Sequence, residues 1–236
     1  MEFTLKRLLI RMTKQAEGRG LVTNEEVLCK IFDNMWVYSP LGGISISDML
    51  DHFDDVYRSH GVDHFLIDSF VKCGFADDDY TGQKGFVDQL SDFARTNNVQ
   101  VHLVCHARKK TTEYEEPDEF DIKGTPALRD VADNVFIVWR KKKEEILRLQ
   151  NLNNATDILE PSDEGNSEYD LNAPDCKIIC AKQRNGHWEG KIGLFFDTDS
   201  CQYLSHSNDR PINYCDLFRQ KMAAPEASDE SSAMSS

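Results

Sequence analysis

Apolar residues recur along the first half of the chain with two different periods. Leu5, Leu8, Leu9 and Met12 fall three or four residues apart with Lys and Arg between them, and residues 1–33 read as helical. A second stripe of Met49, Leu50, Phe53, Val56 and Tyr57 begins just after Ser45 and Ser47, either of which suits an N-cap. A third stripe, Phe86, Val87, Leu90, Phe93 and Ala94, follows a glycine- and acid-rich loop at 72–82. Between the stripes lie short apolar runs at Met35–Tyr38, Asp63–Asp68 and Val99–His106, which predict strands. Strands alternating with amphipathic helices imply a mostly parallel α/β sheet with right-handed crossovers.

The pattern changes after residue 107. A charged loop (107–120) leads through Gly124–Arg129 to a strand at Val135–Trp139. Residues 141–174 are polar, acidic and Asn-rich and read as an inserted surface loop. Strands resume at Lys177–Ala181, Lys191–Phe196 and Gln202–Leu204, ending in an antiparallel hairpin. The expected organisation is one α/β domain over 1–205 and a tail over 206–236, disordered from about Ala223, where Ser, Ala and Glu leave nothing to bury.

Composition narrows the class. At 236 residues with 40% hydrophobic and 10% aromatic content, the chain can bury one substantial core. No apolar run approaches the roughly 20 residues of a membrane span. The first residues carry scattered charges and no small-residue cleavage site, so no secretory signal is read there. Seven cysteines without a Cys-x-x-Cys pair fit reduced, buried thiols in the cytoplasm. The net charge of −14 argues against a chain that coats nucleic acid with its whole surface. The basic residues nonetheless cluster at 106–110, 123–129, 139–143 and 182–191, so an acidic exterior and a basic inner channel are compatible with that total.

Several positions carry candidate chemistry. Asp68 closes an apolar strand and is followed by Ser69; a carboxylate beyond the carboxyl end of a parallel strand suits Mg²⁺ and phosphate, although many α/β strands end in Asp without that role. His106 ends the next strand and so shares a rim of the sheet with Asp68. Lys182 and Arg184, two apart on extended chain, project the same way and suit a phosphate clamp or an arginine finger; the alternative is a solvated hairpin tip at the Asn185–Gly186 turn. Lys123, Gly124, Thr125 and Arg129 form a basic loop able to approach a nucleic-acid backbone. A nucleotide site also needs a phosphate cradle, and no Gly-x-x-x-x-Gly-Lys-Ser/Thr precedes Asp68.

In order, His64–Ser69, Val101–Lys109, Asp121–Val135 and Ala181–Gly186 resemble the RecA-like motor domain of DnaB-type hexameric replicative helicases. They are most similar to the phage primase–helicase branch, which includes the mitochondrial replicative helicase. The resemblance spans roughly residues 1–205. It implies ATP and Mg²⁺ as cofactors, with Asp68 as the Walker B carboxylate on Mg²⁺, Ser69 beside it, and His106 at the γ-phosphate sensor position. It further implies that Lys123, Gly124, Thr125 and Arg129 face single-stranded DNA in a central channel. Arg140 and Phe196 would flank the base, and Lys182 and Arg184 would reach a neighbouring subunit's ATP. The implied partners are single-stranded DNA, further copies in a homo-hexamer or ring, and a fused or separate primase, in a bacterial or phage-infected cell.

One departure accompanies the resemblance. In that family the phosphate loop, its helix and a strand ending in a catalytic Glu precede the first helix seen here, and Met1–Arg7 resembles the segment just after that Glu. The expectation is the C-terminal part of a helicase motor, inactive alone. The phosphate-loop strand lies in that family between the strands matching 99–106 and 135–139, so an association-prone fragment is also expected. Two other functions remain open: a RecA-like recombinase or repair ATPase, and a non-catalytic remnant that joins an intact helicase as an interaction subunit.

Overall fold

Where the sequence supplies caps, the apolar stripes become helices. The computed structural model describes residues 5–18, 29, 32–40, 44–108, 110, 115–141 and 173–223. Helix α1 spans Leu5–Glu17 and α2 spans Ile46–His60. The Ser45 hydroxyl accepts the Asp48 N–H at 3.0 Å, and Gly61, at φ 67°, ends α2 by donating its N–H to the Tyr57 carbonyl. Strand β1 (His64–Ile67) runs into a 3-10 turn at Phe70–Cys73 and then α3 (Tyr80–Asn97), capped by Asp79 on the Gly82 N–H at 2.9 Å. Then follow β2 (Gln100–Leu103), the short helix α4 (Ala127–Val131), β3 (Asn134–Arg140), β4 (Cys176–Gln183), β5 (Gly190–Phe196), β6 (Tyr203–Leu204) and α5 (Tyr214–Ala223).

β1 and β2 pair in parallel, from His64 opposite Gln100 to Ile67 opposite Leu103. Side chains alternate faces along a strand. Ile67, Val101 and Leu103 therefore turn toward the helices and pack with Met49, Phe70, Phe86, Val87, Leu90 and Leu128. Phe65, on the same face, meets the rings of Phe53 and Phe93. Phe86 is fully buried at the centre, a position where truncation to Ala costs about 3–5 kcal/mol.

The parallel arrangement stops at that pair. β3, β4, β5 and β6 lie in that order, each antiparallel to the next. Antiparallel neighbours need no helical crossover, and no helix lies between β3 and β6 among the described residues. The mostly parallel sheet expected from the sequence is thus one parallel pair beside a four-stranded antiparallel sheet. Among the described residues β2 pairs only with β1, and β3 only with β4. Both sheets keep bare apolar positions, with Leu66 68%, Phe136 57% and Val138 60% exposed.

Two further expectations change. Met35–Tyr38 is not a strand: Trp36 stacks on His60 and Tyr38 packs on His52, so α2 takes up both rings. The region read as a tail contains α5, which buries Cys215 and packs Phe218 against Ala16 of α1. Gln202 joins these parts: its amide N–H groups donate to the Gln15 and Ile212 carbonyls at 2.7 Å each, and its oxygen accepts the Ile212 N–H at 2.9 Å. The rest of 1–33, nearly all of the 141–174 insert and the end from 224 lie outside the described residues. No helix among the described residues is long and apolar enough to cross a membrane.

Candidate nucleotide and nucleic-acid site

The backbones of β1 and β2 stay together past their last residues. The Val104 N–H donates to the Ile67 carbonyl at 3.0 Å, and the Phe70 N–H donates to the Val104 carbonyl at 2.9 Å. Half-buried Asp68 and exposed His106 therefore both lie beyond the carboxyl ends of adjacent parallel strands, where α/β sheets form ligand sites. The chain leaves Asp68 through a cis peptide to Ser69, which is 1% exposed. The Ser69 hydroxyl meets no hydrogen-bond partner, an uncommon state for a buried polar atom. Burial, and to a lesser extent the Cys73 thiol, push the Cys105 thiol up to about 12, so this rim carries no reactive thiolate at neutral pH.

A carboxylate beside an unpartnered hydroxyl fits a Mg²⁺ ion that keeps water and phosphate among its ligands. A triphosphate finds less. Among the described residues no group of three or more His, Cys, Asp or Glu could hold a metal unaided. Among the described residues the glycines at positive φ, namely Gly18, Gly61, Gly74 and Gly124, sit at helix ends and turns. None forms a glycine-rich loop leading into a helix.

The basic loop is packed rather than loose. Gln83 of α3, 2% exposed, donates to the Ala76 carbonyl at 2.8 Å and accepts the Thr125 N–H at 2.9 Å. Gly124 has φ 125°, and a Cβ there would lie 2.9 Å from Leu128 Cδ1 and 3.0 Å from Phe70 Cε1. Only glycine satisfies both the dihedral and the space. Thr125 is buried, and Lys123 is the exposed cation of the loop, 3.2 Å from Asp77. A cleft of about 210 Å³ runs between Phe70, Tyr80, Gln83, Arg108 and Lys123. Arg129, on α4, lies 4.5 Å over the Phe120 ring and bonds Asp130 at 2.7 Å.

Lys182 and Arg184 converge, as their shared face predicts, and the end of α4 is what they meet. Lys182 Nζ donates to the carbonyls of Arg129 and Asp130 at 2.8 and 3.0 Å. Arg184 pairs with Asp133 at 2.6 Å and donates to the Asp130 carbonyl at 3.1 Å. Cations are favourable against unpaired C-terminal carbonyls. α4 thus joins the Lys123–Thr125 loop at one end to Lys182 and Arg184 at the other. Arg140 and Phe196 also come together: the guanidinium carbon lies 3.6 Å from the ring centroid.

Two organising residues escaped the sequence reading. Gln83 left a trace, a polar side chain three residues before Phe86 on an apolar face. Glu116 left none. It bonds both Lys177 and Lys191, which hold its carboxyl below the usual carboxylate range and fasten the 115–121 segment to β4 and β5.

No family model matches the chain, and no curated protein matches it. Solved structures do match. One, a DnaB-like replicative helicase described with its interactions with primase, superposes with a TM-score of 0.58 at 15% identity. The fold is helicase-like. The match covers 86% of this chain and 48% of the helicase chain, so the chain spans about half the length of that structure.

Proposed function

We propose that this chain forms the C-terminal part of an ATP-dependent replicative DNA helicase motor of the phage and mitochondrial primase–helicase branch. It would work in a ring on single-stranded DNA, with ATP hydrolysed at subunit interfaces. The observation that carries the reading is the placement of Asp68 and His106 on one rim, at the ends of paired parallel strands. Bound Mg²⁺-ATP supplies the phosphoryl bond whose hydrolysis drives movement. Asp68 would hold the metal through its carboxylate with the Ser69 hydroxyl beside it, and His106 would meet the terminal phosphate from the next strand. Arg140 and Phe196 would flank the base.

Lys182 and Arg184 serve a neighbouring subunit's nucleotide. The Arg184–Asp133 pair has side chains 42% and 50% exposed, and such surface pairs contribute about 0–1 kcal/mol, so Arg184 leaves it at little cost. An arginine delivered to a neighbour's phosphate raises hydrolysis by about 10³–10⁵. Lys123 faces the DNA backbone from a loop held by Gly124 and Thr125, and Arg129 carries that loop's position to the end of α4. In this reading the phosphate-cradling loop comes from polypeptide outside these 236 residues. The lack of a cradle among the described residues also favours a second reading, an accessory subunit that joins an intact ring and contributes only its cations and loop.

The test is the DNA-stimulated ATPase rate of an intact DnaB-like helicase mixed with this chain. The wild-type chain should change the rate, and Arg184→Ala should remove any stimulation. An unchanged rate at excess wild-type chain would refute both readings.

A further inference from the structure

The cleft beside the Lys123–Thr125 loop has aromatic walls and a cationic rim. Tyr80, the first residue of α3, lines it; the side chain is 53% exposed and its ring meets no other ring among the described residues. Phe70 and Phe75 line the same cleft, with ring centroids 5.7 Å apart and planes 22° from parallel. Phe75 also meets the fully buried Phe86 ring, so this wall is anchored in the core. A lone exposed aromatic is ordinary. Here the open ring stands at a cleft that two further rings and two cations complete.

Arg108 and Lys123 supply the charge. The Arg108 N–H donates to the Asp121 carbonyl at 2.6 Å, the Lys123 N–H donates to the His106 carbonyl at 2.8 Å, and Ala107 pairs antiparallel with Ile122 between them. That short ladder holds both cations on the same cleft. Arg108 has no ion-pair partner among the described residues. Lys123 pairs with Asp77 at side chains 46% and 82% exposed, a contact that solvent keeps weak, so a phosphate can take the place of Asp77.

Size and polarity select the occupant. At about 210 Å³ the cleft is smaller than the roughly 300–1,000 Å³ of sites for drug-sized ligands, and it suits one planar ring system. Its cations call for anions beside that ring. A base in a single strand offers both, a π-face with a phosphate to either side, and basic grooves with aromatic platforms bind such strands. Both ends of the Gln83 amide are already bonded, to the Ala76 and Asp77 carbonyls and to the Thr125 N–H, so the ring is held by its face rather than read at its edges.

We propose that this cleft receives one unstacked base of a bound single-stranded DNA, with the base on Tyr80 and the flanking phosphates on Arg108 and Lys123. The inference rests on the single-strand reading above and adds a stacking site to the backbone contact of Lys123. It makes strand binding tolerant of sequence and dependent on the presence of a base.

The full chain is titrated, by fluorescence anisotropy, against labelled oligothymidine and against an abasic strand of the same length. For the wild type, removing the bases should weaken binding about 5- to 150-fold, the range of one base–aromatic stack. Tyr80→Ala should weaken oligothymidine binding by a similar factor and bind the two strands alike, whereas Tyr80→Phe should behave as wild type. Tyr214→Leu, which removes an exposed tyrosine on α5, should change nothing. Arg108→Ala should weaken both strands equally and lower the salt dependence. Equal wild-type binding of the two strands, or unchanged affinity in Tyr80→Ala, overturns the base pocket and leaves the single-strand reading intact. Tighter binding of oligouridine than of oligothymidine overturns DNA as the occupant. No binding of either strand up to millimolar concentration overturns the pocket and the single-strand reading together.

Discussion

Gln83→Leu isolates what holds the candidate DNA loop in place. The substitution keeps the side chain's approximate volume and removes its amide. Three groups lose a partner: the Ala76 carbonyl, bonded at 2.8 Å, the exposed Asp77 carbonyl at 3.5 Å, and the Thr125 N–H, bonded at 2.9 Å. Ala76 is exposed, so water replaces its donor. Thr125 is 6% exposed, and its N–H would be left unsatisfied beneath Gly124 and Phe70. An orphaned buried donor costs about 1–3 kcal/mol, which sets the expected local destabilisation. In hydrogen exchange that corresponds to about a 5- to 140-fold loss of protection at the Thr125 amide. Urea unfolding should show a global loss no larger than the local one, because the apolar packing of Phe86, Val87 and Leu90 on the same helix is untouched. If Thr125 exchanges at the wild-type rate in the variant, Gln83 does not hold the loop and the reasoning fails.

Arg184→Ala should change the urea midpoint stability by less than about 1 kcal/mol, since its partner is exposed. Lys182→Ala should cost about 1.5–3 kcal/mol, because a part-buried ammonium bonds two carbonyls; the opposite ranking would contradict the α4 capping described above. Glu116 has a folded-state value depressed below its ordinary 4.5 by Lys177 and Lys191, so its contribution is complete above 4.5 and is lost as pH falls through the depressed value. Unfolding measured from neutral pH down through that range should show an acid-side loss that Glu116→Gln flattens. Peptide-resolved alkylation at mildly alkaline pH should label exposed Cys29 well before Cys105; equal rates would contradict the burial that pushes Cys105 up to about 12.

Local patterns were readable, and non-local ones were not. Ser45 and the apolar periods of α2 and α3 lie within a few residues of what they control, so those helices, and β1 and β2 between turns, are found from the sequence. Strand direction is different: the apolar run at 135–139 looks the same whether its neighbour is parallel or antiparallel. The α1–α5 contact brings Ala16 to Cys215, residues too distant in the chain for any period to connect. The candidate site divides the same way. Asp68 and His106 at strand ends and the common face of Lys182 and Arg184 were legible as positions, whereas Arg140 and Phe196 entered only through the family resemblance, as flanks of a base, and their direct stack was not foreseen. What Lys182 and Arg184 touch depends on where α4 ends in space, and Thr125's burial depends on a glutamine 42 residues away.

In the proposed function Asp68, Ser69 and His106 form half of a nucleotide site whose phosphate cradle is supplied by other polypeptide. Equilibrium binding of Mg²⁺-ATP to the full chain alone, followed by calorimetry, tests it most directly. No saturable binding is expected at micromolar nucleotide. One-to-one binding at micromolar or tighter affinity that Asp68→Ala abolishes would contradict it, because the chain would then hold a complete site.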